Sequence, residues 1–320
     1  MDPSPPLSMP IRAIARVETL RPQLAGHCNG AAVHAYAVGN QVGECPTWHA
    51  AENCLYWIDV RGQQLLRLRP QVDEVTRWDL PEVVGALALW PSGQLWLALR
   101  HRLVAMDLHA GDIEDLCVVE PDRQGNRLND GKLSPSNRWF VFASMDDRPV
   151  KEAMGSLYCC GADGGARRLY DGLVVGNGIA WSPDARRIYF SDSARGLLMH
   201  APWNEVSGEM GRPALLATFD EAQGRPDGAA VDAAGNYWSA GVSAGCINVL
   251  AAHGDLLCKW PLPCRAPTMP AFSGTDGCTL YVTSLVRPTW QTVGAWDGAL
   301  LAIDLAGRDW SSRQPVEWQG

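Results

Sequence analysis

Apolar positions along this 320-residue chain do not recur at helical spacing over any useful length. They come as short aromatic-rich runs, each preceded by a small-apolar stretch and a turn of Pro, Asp, Ser or Gly, which is the signature of two strands joined by a tight turn. The unit returns six times. It reads Pro46-Thr47-Trp48 before Leu55-Tyr56-Trp57, Ala88-Leu89-Trp90-Pro91-Ser92-Gly93 before Leu95-Trp96, and Leu133-Ser134-Pro135 before Arg138-Trp139-Phe140. It continues as Ile179-Ala180-Trp181-Ser182-Pro183-Asp184 before Ile188-Tyr189-Phe190, Ala230-Val231-Asp232 before Tyr237-Trp238, and Ala271-Phe272-Ser273 before Leu280-Tyr281-Val282. The aromatic anchors are roughly 40 to 50 residues apart, the spacing of propeller blades.

A hairpin unit of this size cannot bury its own apolar face, so neighbouring units must pack side by side and close into a ring. The expected fold is all-β, a six-bladed β-propeller with a central channel, formed as one domain over residues 31–320. Residues 1–30, rich in Pro and without clean alternation, read as an N-terminal extension or peripheral segment. Ala31 to Val38 alternates and is expected to close the ring by joining a last blade that includes Ala299 to Asp304, which removes exposed sheet edges. Asp122 to Asn126, Met145 to Met154 and Val286 to Ala295 are expected loops. The 14 Trp residues supply large surfaces to stack between sheets.

Charge narrows the partners. A net charge of -8 and the lack of any Lys/Arg run argue against a nucleic-acid partner. No stretch reaches the roughly 18 uninterrupted apolar residues of a membrane helix. The start, Met1-Asp2-Pro3-Ser4-Pro5-Pro6, lacks the charged and apolar regions of a secretory signal, so a cytoplasmic protein is expected. The ten cysteines accordingly read as reduced thiols, without the paired short spacing of a zinc site. Oligomeric state is left open.

Candidate chemistry lies where polar residues stand just before the small-apolar start of the repeat. These are Glu44 in Gly43-Glu44-Cys45-Pro46, Asn129 in Arg127-Leu128-Asn129-Asp130-Gly131, Asn177 in Gly176-Asn177-Gly178, and Asp227 in Arg225-Pro226-Asp227-Gly228. Asn-Gly and Asp-Gly are also ordinary turn dipeptides. Recurrence at one phase of the repeat, with a Glu where no turn needs one, points instead to side chains converging on the channel. Carboxylate and amide oxygens suit a hard or borderline divalent cation.

These motifs, taken in order from Gly43 to Asp304 and including Asn177-Gly178-Ile179-Ala180-Trp181-Ser182-Pro183-Asp184, resemble the SMP-30/gluconolactonase/luciferin-regenerating enzyme family. The resemblance implies a six-bladed propeller with one divalent metal ion (Ca²⁺, Zn²⁺, Mn²⁺, Mg²⁺ or Fe²⁺) in its channel, and hydrolysis of a sugar lactone to the open-chain aldonic acid. By resemblance Glu44, Asn177 and Asp227 are the metal ligands, and Asp227 is also the general base. Arg127 and Asn129 match positions that contact substrate hydroxyls. Asp147 falls where some members place a substrate-binding Glu, with Asp146 competing for the role. The chain departs from the family at Cys45, where Gly or Ser is common, and around Met269-Pro270.

Other functions fit parts of the sequence. Gly241-Val242-Ser243-Ala244-Gly245 matches the Gly-x-Ser-x-Gly of serine hydrolases, but it lies between two strand-like runs and reads as a hairpin turn, since the motif needs a following helix. His34, His49, His101 and His200 have no placed Asp partner. A non-catalytic propeller that binds a ligand or protein, and a metal-dependent hydrolase of another ester or phosphoester, are the alternatives.

Overall fold

The six repeat units fold as six small antiparallel sheets arranged as the blades of a propeller. The computed structural model describes residues 11–28, 30–90, 93–162, 164–273 and 278–306. Pro91 and Ser92 of the second repeat, residues 1–10 and residues 307–320 lie outside them. No helix occurs among the described residues, and none therefore is long and apolar enough to cross a membrane.

Each sequence repeat is the innermost strand of a blade, a turn, and the second strand. The inner strands of blades one to six are Gly43–His49, Val84–Leu89, Asn126–Leu133, Gly176–Trp181, Pro226–Val231 and Pro267–Ser273. The second strands, such as Cys54–Asp59 and Phe140–Asp146, are buried along their whole length, because each is sandwiched between adjacent blades. That is why they read as continuous apolar runs rather than alternating ones. Outer strands such as Ala166–Leu173 are largely exposed or half-buried.

Aromatic residues fill the seams between blades. Tyr170 meets Phe190, Tyr189 meets Tyr237, and Trp238 meets Phe272, with ring centroids 5.4, 5.2 and 5.3 Å apart. Trp48 of blade one stacks on Tyr281 of blade six at 6.2 Å, across the closing seam. The buried members, Phe190, Tyr189, Tyr237, Trp238 and Tyr281, each contribute about 1.5–3 kcal/mol on leaving water.

The ring closes as the alternation suggested. Ala31–Tyr36 pairs antiparallel with Leu300–Asp304, so the last blade carries strands from both ends of the chain. The N-terminal segment adds more than a tail. Ile11–Arg12 pairs with the outer strand of blade two, Ala15–Thr19 with that of blade one, and Leu24–Cys28 with Ala31–Tyr36. The 145–154 loop starts later than the sequence suggested, because Met145 and Asp146 pair with Arg127 and Asn126 and end the second strand of blade three.

Candidate functional site

All six inner strands break their ladder at the same phase. Pairing with the second strand shifts between Glu44 and Thr47, around Gly85, between Asn129 and Gly131, between Asn177 and Ala180, between Pro226 and Ala229, and between Pro267 and Met269. A bulge adds an unpaired residue and re-aims its neighbours, which is how a strand turns side chains into a site. Three of these bulges use a left-handed backbone: Cys45 at φ 55°, Asp130 at φ 30° and Gly178 at φ 66°. The polar positions singled out in the sequence therefore sit on bulges rather than in turns.

Blades two and six contribute differently. In blade two the equivalent residue is Gly85, where a Cβ would lie 2.1 Å from the Leu128 carbonyl oxygen, so only backbone fits. In blade six it is Thr268, whose hydroxyl bonds Gly43 O and Thr283. Polar side chains come from blades one, three, four and five.

Glu44, Asn129, Asn177 and Asp227 are all buried. Asn177 donates from Nδ2 to Asp227 Oδ1 at 2.6 Å and to Ser193 Oγ at 2.9 Å. Its Oδ1 is buried and has no hydrogen-bond partner. A buried amide oxygen without a partner is costly, and native proteins tolerate one where something else satisfies it. Asp227 is pushed up to about 8, first by burial and next by the Asp130 carboxylate. Glu44 is held well above the usual carboxylate range by burial, then by the charges of Asp227 and Asp130. Three buried carboxyl groups thus repel one another around an oxygen that lacks a donor. This donor set fits a divalent cation, which supplies the missing positive charge and accepts the free oxygen.

Arg127 joins this centre to the channel mouth. Its Nη1 donates to Asn129 Oδ1 at 2.7 Å and to Leu128 O at 3.0 Å, and its Nε to Asp147 Oδ1 at 3.2 Å. Asn129 in turn donates to Gly176 O at 2.9 Å. Asp147 also accepts from Arg61 and from Arg100. Asp146 is engaged elsewhere, by the Arg148 guanidinium and the Glu152 backbone amide. Of the two adjacent carboxylates, only Asp147 touches Arg127.

Two residues of the centre were given no role from the sequence, although the Asp130 carboxylate stood in one of its motifs. Asp130 accepts a hydrogen bond from Ile179 N at 3.0 Å with Oδ2, while its Oδ1 is buried without a hydrogen-bond partner. Lys132, half-buried, reaches from blade three to blade five and donates to Ala229 O at 2.6 Å. Burial, partly offset by Asp130, lowers its pKa. The run Asn129-Asp130-Gly131-Lys132 carried both, but Asp-Gly looks like a turn and a lone Lys like surface.

Other candidates resolve differently. His49, Glu52 and Cys54 bring three potential ligand atoms within 4.8 Å of one another, at the opposite end of the blade-one inner strand from Glu44. Glu52 there already accepts from Tyr56 at 3.0 Å and lies 3.8 Å from Arg67, and burial pushes the Cys54 thiol up to about 12. That is a hydrogen-bonded cluster with its own cation. Ser243 lies in a hairpin turn, bonded to Glu221 O and Arg225 N, and no His contacts it among the described residues. The cysteines are thiols, all buried except Cys117 and Cys278.

Comparison with known proteins shows the family. The family model described as SMP-30/Gluconolactonase/LRE-like region matches residues 42–286. A 6-deoxy-6-sulfogluconolactonase from Pseudomonas putida is 37% identical over 244 residues, covering 76% of this chain and 83% of that protein. An L-arabinolactonase from Azospirillum brasilense is 31% identical over 271 residues, covering 84% and 87%. The crystal structure of a calcium-binding protein, regucalcin, from Agrobacterium tumefaciens superposes with a TM-score of 0.79 at 26% identity, covering 83% of this chain and 91% of that one.

Proposed function

This chain belongs to the SMP-30/gluconolactonase/LRE-like family, and from that premise we propose that it hydrolyses a sugar lactone to the open-chain acid with a divalent cation held by Glu44, Asn177 and Asp227. The lactonases among its relatives support the reaction class. The observation that carries the cation is the buried Asn177 Oδ1, left without a hydrogen-bond partner beside carboxyl groups whose pKa burial and mutual repulsion raise.

A bound divalent cation supplies Lewis-acid polarisation of a carbonyl and acidification of a bound water. The remaining work falls to side chains. Asp227, once ionised, accepts the proton of the attacking water as general base, and the Nδ2 of Asn177 fixes its carboxylate orientation at 2.6 Å. Arg127 and Asn129, locked together at 2.7 Å, orient the sugar hydroxyls and limit the poses in which the carbonyl meets the water. Lys132 ties blade three to blade five through Ala229 O, and its charge acts on the Asp130 carboxylate.

A pH-indicator screen over aldonolactones, run with and without chelator, tests the reading. Hydrolysis of at least one lactone, abolished by chelator and by Asp227→Ala, is expected. No hydrolysis of any lactone by metal-loaded protein, or full turnover by Asp227→Ala, overturns it.

A further inference from the structure

Three guanidiniums converge on the single carboxylate of Asp147. A carboxylate has about four acceptor positions, and here four hydrogen bonds fill them: two from Arg61, one from Arg100 Nη2 at 3.3 Å and one from Arg127 Nε at 3.2 Å. No acceptor is left for a substrate hydroxyl. Lys151 adds a fourth cation, anchored on Asp146 O at 2.6 Å and Arg148 O at 3.3 Å. Of the other carboxylates nearby, Asp146 and Glu152 share Arg148, Glu82 and Asp115 share Arg102, and Glu44 acts on Arg127; none bonds the side chain of Arg61 or Arg100 among the described residues.

These cations come from separate blades. Arg61 lies in a turn of blade one, Arg100 in a turn of blade two, and Arg127 and Lys151 in blade three. The turns lie at the same end of their blades as Glu44 and Asn129, since Gly43 pairs with Asp59, Val84 with Leu99 and Asn126 with Asp146. Asp147 and Arg127 are 9% and 7% exposed, whereas Arg61 and Arg100 are 42% and 36% exposed. Among the described residues the Arg61 and Arg100 side chains bond nothing but Asp147. Their remaining N–H groups are therefore held in place, charged and open to solvent, in a chain whose net charge is -8.

We propose that Arg61 and Arg100, held by Asp147, form an anion clamp at the channel mouth that selects a lactone carrying a sulfonate or phosphate on the end of the sugar remote from the carbonyl. The proposal rests on the lactonase reading. A neutral sugar takes only ordinary hydrogen bonds from these guanidiniums, whereas a tetrahedral oxyanion accepts their planar forks bidentately with charge assistance and finds a positive field that steers it to the channel. Arg127 continues the path inward, because it touches both Asp147 and Asn129. In this arrangement Asp147 is a positioning residue.

The test compares rates on glucono-1,5-lactone, its 6-phosphate and its 6-sulfonate, using metal-loaded protein and the double variant Arg61→Gln/Arg100→Gln. The expected result is a kcat/KM at least about tenfold higher for one or both anionic lactones than for the neutral one, with that preference lost in the double variant mainly through KM. The phosphate and sulfonate arms identify which oxyanion is taken. Equal or better turnover of the neutral lactone, or a double variant that lowers all three substrates equally, overturns the clamp while leaving the lactonase reading intact. Calorimetric binding of glucose 6-phosphate and glucose 6-sulfonate against glucose separates the two readings further. Tighter binding of an anionic sugar that the double variant loses supports the clamp even if no lactone is hydrolysed. No difference between the sugars overturns it.

Discussion

Asn177 and Asp227 meet across the seam between blades four and five, with Nδ2 donating to Oδ1 at 2.6 Å, and this one bond decides what the amide oxygen can do. With Nδ2 committed to Asp227 and Ser193, Oδ1 is fixed as a buried acceptor. Replacing Asn177 by Ala removes that acceptor and loosens Asp227 together. Metal affinity, read by calorimetry, is expected to fall by about tenfold or more. Unchanged affinity removes Asn177 from the ligand set.

The metal-free centre has a definite pH signature. Asp227 titrates at about 8 in the fold against an ordinary value of 3.8, so the folded state holds a proton that the unfolded state has lost between those values. Stability from this group therefore falls as pH rises through that window, and Glu44 shifts in the same direction. A bound cation removes the cost of ionising both. The thermal stabilisation by added metal is expected to be larger near about pH 8 than near about pH 5.5. Melting curves with metal or chelator at the two pH values check it, and a pH-independent gain contradicts it.

Gly178 follows Asn177 at φ 66°, and a Cβ there would lie 2.4 Å from Tyr237 Oη, 2.7 Å from Ser191 Oγ and 3.1 Å from Asp227 O. Tyr237 Oη already donates to Gly178 O at 2.7 Å. Gly178→Ala is expected to cost about 1–3 kcal/mol of stability and to weaken metal binding, because the collision pushes on the backbone of a ligand. Urea unfolding and metal titration of the same variant measure both effects.

Asp130 is buried and Lys132 half-buried; the two make no ion pair within 4 Å among the described residues, but the Lys132 charge holds the Asp130 carboxyl down against the effect of burial. Lys132→Met is expected to destabilise by about 1–3 kcal/mol, through the Ala229 carbonyl left without its donor and the Asp130 carboxylate left without its cation, with part recovered in Lys132→Met/Asp130→Asn. The double-mutant cycle in urea is the measurement. Additive losses show that the two charges are not coupled.

What could be read from the sequence follows from what was buried. The second strands, enclosed on both faces, announced themselves as apolar runs, and the phase of Glu44, Asn129, Asn177 and Asp227 followed from them. Ala15–Thr19 did not, because all five residues are exposed and only pairing with Glu74–Asp79 makes them a strand. The bulges were hidden for another reason. Cys45 adopts a left-handed backbone that its residue type does not favour, and the surrounding ring imposes it; Asp130 adopts one too, which Asp tolerates but does not announce. Cys45 is held by its thiol, which donates to Gly131 O at 3.2 Å and accepts from Leu87 N at 3.4 Å, tying blades one, two and three. The partners of Asp147 lie 86, 47 and 20 residues away in sequence, so its engagement by Arg61, Arg100 and Arg127 is a property of the closed ring alone.

The most direct test is lactone hydrolysis by one preparation of the protein stripped of metal by chelator, dialysed, and reloaded with each divalent cation in turn. Activity should vanish on stripping and return with at least one cation, and Asp227→Ala should stay inactive at every cation tested. Full activity in the stripped protein, or restored activity in Asp227→Ala, would contradict a cation held by Glu44, Asn177 and Asp227 as the centre of the reaction.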